Sequence, residues 1–300
     1  MAKILVTGGT GYIGKHLVSK LVDAGHAVVL VSRNPSGSES APTFKWDPSL
    51  GEIAHEALDG VEVIFHLAGA GIADKPWTVK RKKEIVDSRV ASARLILNEC
   101  KAKNIKLRHF ISASAIGWYP AVISDQIYDE TSAPGTGFLA EVCKQWEAAA
   151  DEFEAVADRV SKLRIGLVLG KDSTVLKKIS TPVKYYLGAA LGTGKQNMSW
   201  IHIDDVCNAF VHLMDHELEG VYNAVGPEFV TNNDFMRTLA DAMSRPLMLP
   251  NIPEFLVRAL FGDQADLVLK GPKISCKKIY STGFRYEYPT VTSALSAIYF

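Results

Sequence analysis

Short apolar runs alternate with helix-like stretches along the first three quarters of the 300-residue chain. The runs predict strands, because each is only a few residues long and is rich in branched apolar side chains. The stretches between them repeat apolar residues at helical spacing and predict helices. The predicted strands cover residues 4–6, 27–31, 43–46, 61–67, 109–112, 163–169 and 220–225, and the predicted helices lie near residues 14–24, 78–101 and 137–154.

This alternation is typical of an α/β fold with a parallel sheet and helices on both faces. We therefore predict a Rossmann-type, doubly wound parallel sheet with a smaller C-terminal substrate lobe. The Rossmann domain is expected to comprise residues 1–170 and to be completed by about 199–225. Residues 171–198 and 226–300 are assigned to the substrate lobe. In such sheets, ligands bind outside the carboxyl ends of the strands.

Three glycines follow the first predicted strand at a spacing of three residues, namely Gly8, Gly11 and Gly14. One glycine permits a tight turn, the second lets the backbone approach a pyrophosphate, and the third lets helix and strand pack closely. The helix after them would point free N–H groups and its positive dipole end at the phosphates. The order strand, glycine turn, helix therefore predicts a dinucleotide-binding site. The other predicted cofactor contacts in this turn are Thr10, Tyr12 and Ile13.

The second predicted strand ends in Ser32, Arg33 and Asn34, at the position that faces the adenosine ribose in a dinucleotide site. An Asp or Glu here would bind the free 2′-hydroxyl of NAD, whereas an arginine pairs with the 2′-phosphate of NADP. No acidic residue lies between Gly25 and Ser38. We therefore predict that NADP(H) is the cofactor and that Ser32, Arg33 and Asn34 contact it. The alternative is that Arg33 is a solvated surface residue.

Charge and composition argue against several other classes of protein. The chain has 33 basic and 33 acidic residues and no formal net charge, which does not favour nucleic-acid binding. It contains no apolar run long enough for a membrane span and no recognisable signal peptide, so we expect a cytoplasmic protein. Its four widely spaced cysteines predict reduced thiols and no metal site. They are Cys100, Cys143, Cys207 and Cys276.

Further motifs are spread over nearly the whole chain. They are Leu67-Ala68-Gly69-Ala70-Gly71-Ile72, Ser88-Arg89, Ser112-Ala113-Ser114-Ala115-Ile116-Gly117, the stretch 138–144 with Trp146-Glu147, the stretch 164–170, Trp200-Ile201-His202-Ile203-Asp204-Asp205-Val206, and a block at 267–289. With these motifs and the glycine turn, the chain resembles the extended or atypical branch of the short-chain dehydrogenase/reductase superfamily. Within it, the chain is similar to the NAD-dependent epimerase/dehydratase-like group that ends in a domain of unknown function.

The resemblance implies a reaction site at the end of the fifth main strand. Members of the superfamily use a serine there and a Tyr-x-x-x-Lys pair on the next helix, where the tyrosine exchanges a proton with the substrate. Ser114 matches the serine and Lys144 is aligned with the lysine, but Ala140 stands where the tyrosine is expected. Tyr119 is our candidate substitute, and packing beside Trp118 is its alternative role. Less favoured substitutes are Tyr128 and Glu141.

The resemblance also implies cofactor contacts beyond the glycine turn. The loop after the fourth main strand is expected to lie along the cofactor ribose. The residues implied are Leu67, Ala68, Gly69, Arg89 and Ser112. Lys144 is expected to bind ribose hydroxyls even without catalysis, with an exposed helix lysine as the alternative. By analogy with the superfamily, the predicted helices 78–101 and 137–154 are candidates for a homodimer interface.

Trp200, His202 and Asp204 are predicted to share one face of an extended segment. In related proteins a similar stretch docks the substrate lobe on the sheet. Asp204 is followed by apolar residues at helical spacing, so we interpret it as the N-cap of a helix. His202 is retained only as a minor candidate for acid–base chemistry.

Taken together, the sequence predicts an NADP(H)-dependent oxidoreductase or epimerase that acts on a small polar or nucleotide-sugar-like substrate. The missing tyrosine leaves a second reading open, namely a redox sensor or scaffold that binds NADP(H) without turnover. A structural paralogue with an empty site is a third reading, and Arg33 together with the glycine turn argues against it.

Overall fold

The strands and helices come from a computed structural model that describes residues 1–35 and 41–300. The strands are β1 (Lys3–Thr7), β2 (Ala27–Ser32), β3 (Thr43–Asp47), β4 (Glu52–Ile53), β5 (Val63–His66), β6 (His109–Ala115), β7 (Ile127–Tyr128), β8 (Val160–Ile165), β9 (Leu167–Leu169), β10 (Trp200–His202), β11 (Gly220–Ala224) and β12 (Lys273–Ile274). The helices are α1 (Tyr12–Asp23), α2 (Val79–Ala102), α3 (Phe138–Asp151), α4 (Thr174–Lys184), α5 (Ile203–Asp215), α6 (Asn232–Ala242), α7 (Glu254–Phe261), α8 (Asp266–Leu269), α9 (Lys277–Ser281) and α10 (Val291–Tyr299).

The main sheet has eight strands in the order β11-β8-β6-β5-β1-β2-β3-β4. Neighbouring strands pair in parallel, except for the short edge strand β4, which runs antiparallel to β3. The strand order reverses beside β1, because the chain first adds β2 and β3 on one side and then returns to β5 on the other. The predicted doubly wound α/β fold is therefore confirmed.

The sheet is covered on both faces, which explains its almost continuous apolar strands. In β1, Ile4 and Val6 belong to a core shared with α1 and α5, whereas Leu5 belongs to the core on the opposite face with α2 and α3. The two faces therefore alternate along each strand. No described helix combines the length and the apolar character needed to cross a lipid bilayer.

The single strand predicted at 163–169 is wrong, because the chain changes sheets at Gly166. Residues before Gly166 form β8 in the main sheet, and residues after it form β9, which pairs with β10 in a separate two-stranded sheet. A Cβ atom at Gly166 would overlap the carbonyl oxygen of Ser199. The step between the two sheets thus requires a residue without a side chain.

The C-terminal part of the chain has a core of its own. Phe235, Leu239 and Leu295, from α6 and α10, pack there with Leu176 of α4 and with Trp200. A smaller cluster around Val257 of α7 completes this region. Apart from Trp200, the named residues lie in the ranges that the sequence assigns to a substrate lobe, and the role of this region in binding a substrate stays a prediction.

Asp205 ties the C-terminal segment to the Rossmann core. Its fully buried carboxylate accepts the backbone N–H groups of Glu287 at 2.8 Å and Tyr288 at 3.1 Å. The prediction that Asp204 caps helix α5 is wrong. The helix begins at Ile203, and the N-cap is His202, whose Nδ1 accepts the N–H of Asp204 at 3.3 Å.

We predict that Asp205→Ala lowers the free energy of unfolding by about 3 kcal/mol, because two buried N–H groups lose a charged acceptor. Amide hydrogen exchange should rise first in residues 286–300, which the carboxylate holds in place. Asp204→Ala is the matched control, since the side chain of Asp204 is 42% exposed. Equal destabilisation by the two variants would contradict this role of Asp205.

Candidate functional site

Strand register brings the predicted site residues to one edge of the sheet. Thr7, His66 and Ser112 are partners across the ends of β1, β5 and β6. Further along the same edge, Ser114, Arg164 and Asn223 are partners across β6, β8 and β11. This edge carries the carboxyl ends of the parallel strands, where ligands bind in doubly wound folds.

The glycine turn forms a cradle that only glycine backbone permits. Gly8 has φ +67°, and a Cβ atom there would lie 2.8 Å from the carbonyl carbon of Leu67. A Cβ atom at Gly14 would overlap the carbonyl oxygen of Gly8. Gly11 precedes α1 in an extended conformation, the first turn of α1 carries no acid, and among the described residues no side chain caps the helix. The cradle therefore fits a dinucleotide pyrophosphate, since it offers N–H groups and a positive dipole end to an anion.

The other residues of the turn differ in their surroundings. Thr10 is exposed at the tip, and Ile13 is half-buried against the core. Tyr12 points its hydroxyl at Gly170, where a Cβ atom would overlap it, and burial raises the pKa of Tyr12 to about 12. The ring of Tyr12 thus packs the start of α1 against Gly170, which directly follows β9.

Thr7 and His66 join the glycine turn to the loop after β5. The Thr7 hydroxyl accepts the N–H groups of Leu67 at 3.2 Å and Ala68 at 3.1 Å, so its proton goes to Nδ1 of His66 at 3.0 Å. Nε2 of His66 then carries the hydrogen and donates to the carbonyl oxygen of Arg89 at 3.4 Å. Burial lowers the pKa of His66 to about 4, which keeps the ring neutral in this position.

Helix α2 supports the loop at 68–71 from behind. Ser88 Oγ accepts the N–H of Ala70 at 2.9 Å, and Arg89 donates to the carbonyl oxygen of Ala70 at 3.1 Å. A Cβ atom at Gly69 would lie 2.9 Å from the Arg89 guanidinium carbon. The structure therefore places Arg89 as a buried support of the predicted ribose loop, and a direct contact with a cofactor stays a prediction.

The end of β2 presents Arg33 and Asn34 to solvent. Ser32 Oγ accepts the N–H of Asn34 at 3.3 Å, which shapes the turn that follows the strand. Arg33 is exposed, and its charge helps to lower the pKa of Asp47, after the larger effect of the hydrogen bonds from Ser49. These positions agree with a site for a 2′-phosphate, and the contact itself stays a prediction.

Ser114 is hydrogen-bonded to a buried ion pair that sequence reasoning missed. Its hydroxyl donates to Glu147 Oε1 at 2.7 Å. Arg164 binds the same carboxylate through two nitrogens, Nε to Oε1 at 2.8 Å and one terminal nitrogen to Oε2 at 2.9 Å. The guanidinium carbon of Arg164 also lies 3.9 Å from the centre of the Trp118 ring. Two signals could have found this pair: a charged residue inside the apolar strand run 163–169, and an acid on the buried face of α3.

Tyr119 lies in the same network, with both functions of its hydroxyl in use. The hydroxyl donates to Asn223 Oδ1 at 2.7 Å and accepts from Arg164 at 3.1 Å. Burial raises the pKa of Tyr119 to about 12. This geometry matches the packed aromatic residue of the alternative reading more closely than a free proton donor, and a catalytic role for Tyr119 stays a prediction.

The alignment of Ala140 and Lys144 with the Tyr-x-x-x-Lys pair is not supported by the packing of α3. The Lys144 side chain is 42% exposed and forms an ion pair with Glu141 at 3.0 Å. The residues that face the end of β6 are Leu139 and Cys143, which lie 3.2 and 3.5 Å from where a Cβ atom of Gly117 would stand. Cys143 also points its thiol at the Ala115 carbonyl oxygen, 3.5 Å away. The two positions next to the end of β6 are thus occupied by Leu139 and Cys143, each one residue before the position aligned from the sequence.

The remaining candidates have structural partners. Ser112 is buried, and its hydroxyl donates to the carbonyl oxygen of Ala113 at 2.9 Å. Tyr128 packs in the core beside Tyr119, whereas Glu141 is exposed and binds Gln145 and Lys144. His202 caps α5, its ring centre lies 3.9 Å from that of Tyr288, and burial lowers its pKa. Within the described ranges, no cluster of His, Cys, Asp or Glu could hold a metal ion.

Two grooves on the surface differ in their relation to this edge. One, of about 700 Å³, follows the outer face of α2 and contains none of the predicted site residues. The other, of about 500 Å³, lies between residues 73–78 and 259–264. Lys178 of α4 donates to the carbonyl oxygen of Ala73 at 3.1 Å, and Gln264 donates to that of Lys75 at 2.7 Å. The C-terminal region therefore reaches the loop after β5, next to the ligand edge.

Comparison with known families identifies the family of this chain. The model of the NAD dependent epimerase/dehydratase family matches residues 4–225, and the model of a Domain of unknown function (DUF1731) matches residues 252–298. Since the first match spans most of the chain, the protein belongs to the NAD dependent epimerase/dehydratase family. The resemblance inferred from the sequence motifs is confirmed.

Relatives and solved structures are similar over nearly the whole chain. Epimerase family protein ML0860 of Mycobacterium leprae is 33% identical over 98% of this chain and 95% of its own length. The Epimerase family protein SDR39U1 homolog, chloroplastic, of Arabidopsis thaliana is 34% identical over 98% of this chain and 86% of its own length. The structure of human epimerase family protein SDR39U1 (isoform 2) with NADPH is 29% identical, covers 99% of this chain and 98% of that chain, and has a TM-score of 0.87. UDP-N-acetylglucosamine 4-epimerase from Bacillus cereus shares the fold, with a TM-score of 0.79 at 17% identity over 100% of this chain and 98% of that chain.

We predict that His66 makes folding stability depend on pH. The folded-state pKa of about 4 lies below the ordinary value of 6.5. The unfolded chain therefore takes up a proton first, so the stability due to His66 is complete above pH 6.5 and falls as the pH drops toward 4. Between pH 7 and pH 5, His66→Gln should lose about 2 kcal/mol less stability than the wild type in denaturant titrations.

The exposed His16 provides the control for this experiment. His16→Gln makes the same replacement outside the contact between Thr7 and His66 and is measured beside His66→Gln. A His66→Gln variant with the same loss of stability as the wild type over this pH range would contradict the neutral role of His66.

Proposed function

We propose that the protein is an NADP(H)-dependent oxidoreductase or epimerase of the short-chain dehydrogenase/reductase type, acting on a small polar or nucleotide-sugar-like substrate. The observation that carries this proposal is the uncapped glycine cradle, with Arg33 at the end of the neighbouring strand β2. A relative of the same length, human SDR39U1, is described with NADPH, which supports the choice of NADP(H) over NAD.

The residues around the cradle have distinct roles in holding the cofactor. The N–H groups at the start of α1 would bind the pyrophosphate, Arg33 would pair with the 2′-phosphate, and the loop 67–69 would follow the nicotinamide ribose. Thr7 and His66 keep this loop in place through their hydrogen bonds. When bound, NADP(H) supplies or accepts a hydride.

The substrate is proposed to lie between Ser114 and the C-terminal lobe. The contacts of Lys178 and Gln264 with the loop after β5 support this placement, because that loop lies next to the ligand edge. The enzymes described with or named for UDP-sugars among the structural neighbours share the fold at 17–21% identity, so they support the architecture and not a particular substrate.

A second candidate function is an NADP(H)-binding redox sensor or scaffold without turnover. It is favoured by Leu139 and Cys143, which face the end of β6 where a tyrosine and a lysine would be needed for the usual proton transfer. A homodimer through α2 and α3 and a cytoplasmic location also stay predictions. The Arabidopsis thaliana relative is named as chloroplastic.

We predict that Arg33→Ala raises the dissociation constant for NADPH about tenfold or more, because a charge-assisted contact with the 2′-phosphate is lost. Affinity for NADH should stay within twofold, since NADH lacks this phosphate. Calorimetric titration of both proteins with NADPH, NADP⁺, NADH and NAD⁺ measures the difference.

Arg108→Ala is the matched control, because Arg108 is exposed at the opposite edge of the sheet, just before β6. It should leave all four affinities unchanged. If Arg33→Ala weakens NADPH and NADH equally, NADP selectivity does not reside at Arg33. If the wild type binds none of the four dinucleotides, both candidate functions are wrong.

A measurement of cofactor turnover distinguishes the two candidate functions, an enzyme and a redox sensor. For an enzyme, Ser114→Ala should reduce turnover of cofactor with an active substrate at least tenfold and leave the NADPH affinity within twofold, because Ser114 faces the reacting part of the ligand. Absorbance at the nicotinamide band, followed over a panel of sugars, alcohols and ketones, provides the assay. Ser161→Ala removes a buried hydroxyl from the far half of β8 and serves as the control. Tight NADPH binding without turnover of any compound would favour the sensor.

A further inference from the structure

The hydrogen atoms of the buried network at the end of β6 have only one consistent arrangement. We call this network, formed by Ser114, Glu147, Arg164, Tyr119 and Asn223, the pinned network. All five residues are at most 5% exposed. Bulk water therefore competes little for the hydrogen bonds between these side chains, and each side-chain donor of the network is paired with an acceptor inside the protein.

The charged pair determines which residue donates the hydrogen bond between Ser114 and Glu147. Arg164 is donor-only, and its two-nitrogen contact holds Glu147 as an acceptor-only carboxylate. Ser114 must consequently be the donor in its 2.7 Å contact with Glu147 Oε1. The proton of the Ser114 hydroxyl is used in the hydrogen bond to the carboxylate. Only the lone pairs of the Ser114 oxygen are then left for a further hydrogen bond.

The directions of the hydrogen bonds at Tyr119 and Asn223 are determined in the same way. Arg164 donates to the Tyr119 hydroxyl, so Tyr119 must donate onward to Asn223. Asn223 accepts through Oδ1, because its Nδ2 donates to the carbonyl oxygen of Ser275 at 3.0 Å. Tyr119 thus has no proton to offer without breaking the network.

We propose that Ser114 accepts a hydrogen bond from the ligand, so that the group facing it is an O–H or N–H donor, such as a secondary alcohol, and not a carbonyl oxygen. Glu147 is the positioning residue that fixes this polarity. The inference rests on the proposed function, since it assumes that a ligand binds at this edge of the sheet. A carbonyl ligand would have to break the charge-assisted bond between Ser114 and Glu147, which disfavours it about tenfold or more.

Neutron diffraction from crystals exchanged into D₂O tests the polarity directly, with and without NADP(H). We expect a deuteron on Ser114 Oγ directed at Glu147 Oε1, and one on Tyr119 directed at Asn223. A deuteron on Glu147 directed at Ser114 would overturn the proposal. This result is independent of cofactor affinity, so a failure of the proposed function and a failure of this inference are distinguishable.

The relative affinities for an alcohol and a ketone test whether Ser114 accepts a hydrogen bond from the ligand. Cyclohexanol and cyclohexanone are a matched donor and acceptor pair, each measured by ligand-observed NMR in its unreactive combination, the alcohol with NADPH-loaded protein and the ketone with NADP⁺-loaded protein. Ser114→Ala should weaken the alcohol about tenfold and leave the ketone within twofold. A lower affinity for the ketone alone, or an unchanged affinity for both ligands, would contradict the proposal.

The double variant Glu147→Leu with Arg164→Met tests the positioning role. It removes both charges together, so no uncompensated charge stays buried. The Ser114 proton then becomes free, and the ratio of alcohol to ketone affinity should fall about tenfold relative to the wild type. If Glu147 only stabilises the fold, this ratio stays unchanged while the melting temperature shifts.

Discussion

The buried ion pair between Glu147 and Arg164 holds together the half of the ligand edge where a substrate would bind. It joins α3 to β8, and through Arg164 it contacts Trp118 and Tyr119. Removing one partner from such a pair leaves an unpaired charge in the interior, which costs about 3–5 kcal/mol. Because this pair orients the hydroxyls of Ser114 and Tyr119, it determines whether each of them can donate or accept a further hydrogen bond.

The other half of the ligand edge depends on close backbone approach instead of charge. Gly8 and Gly14 let β1, the turn and α1 come into direct contact, and Thr7 with His66 extends this contact to the loop after β5. A neutral, buried histidine suits this position, because a charged ring would lose one acceptor and would add a charge beside the cofactor loop. The half proposed for the cofactor is thus shaped by the backbone, and the half proposed for the substrate by a charge network.

Helix α3 illustrates why sequence alone could not place the whole site. The pairs Ala140 with Lys144 and Leu139 with Cys143 have the same spacing of four residues, so spacing cannot choose between them. Only the packing of α3 against Gly117 turns the second pair toward β6 and leaves Lys144 beside Glu141 in solvent. Moving the alignment by one residue therefore replaces an alanine and a lysine by a leucine and a cysteine at the positions next to β6.

The sequence by itself determined the features that depend on local chemistry: the alternation of strands and helices, the glycine turn, and an arginine in place of an acid after β2. These are encoded by neighbouring residues, because periodicity and backbone freedom are local properties. Tertiary structure alone decided the break of the chain at Gly166, the cap at His202 and the pairing of Glu147 with Arg164. Each of these depends on which distant segment packs against the residue, and for Ser114 that contact also decides where its proton points.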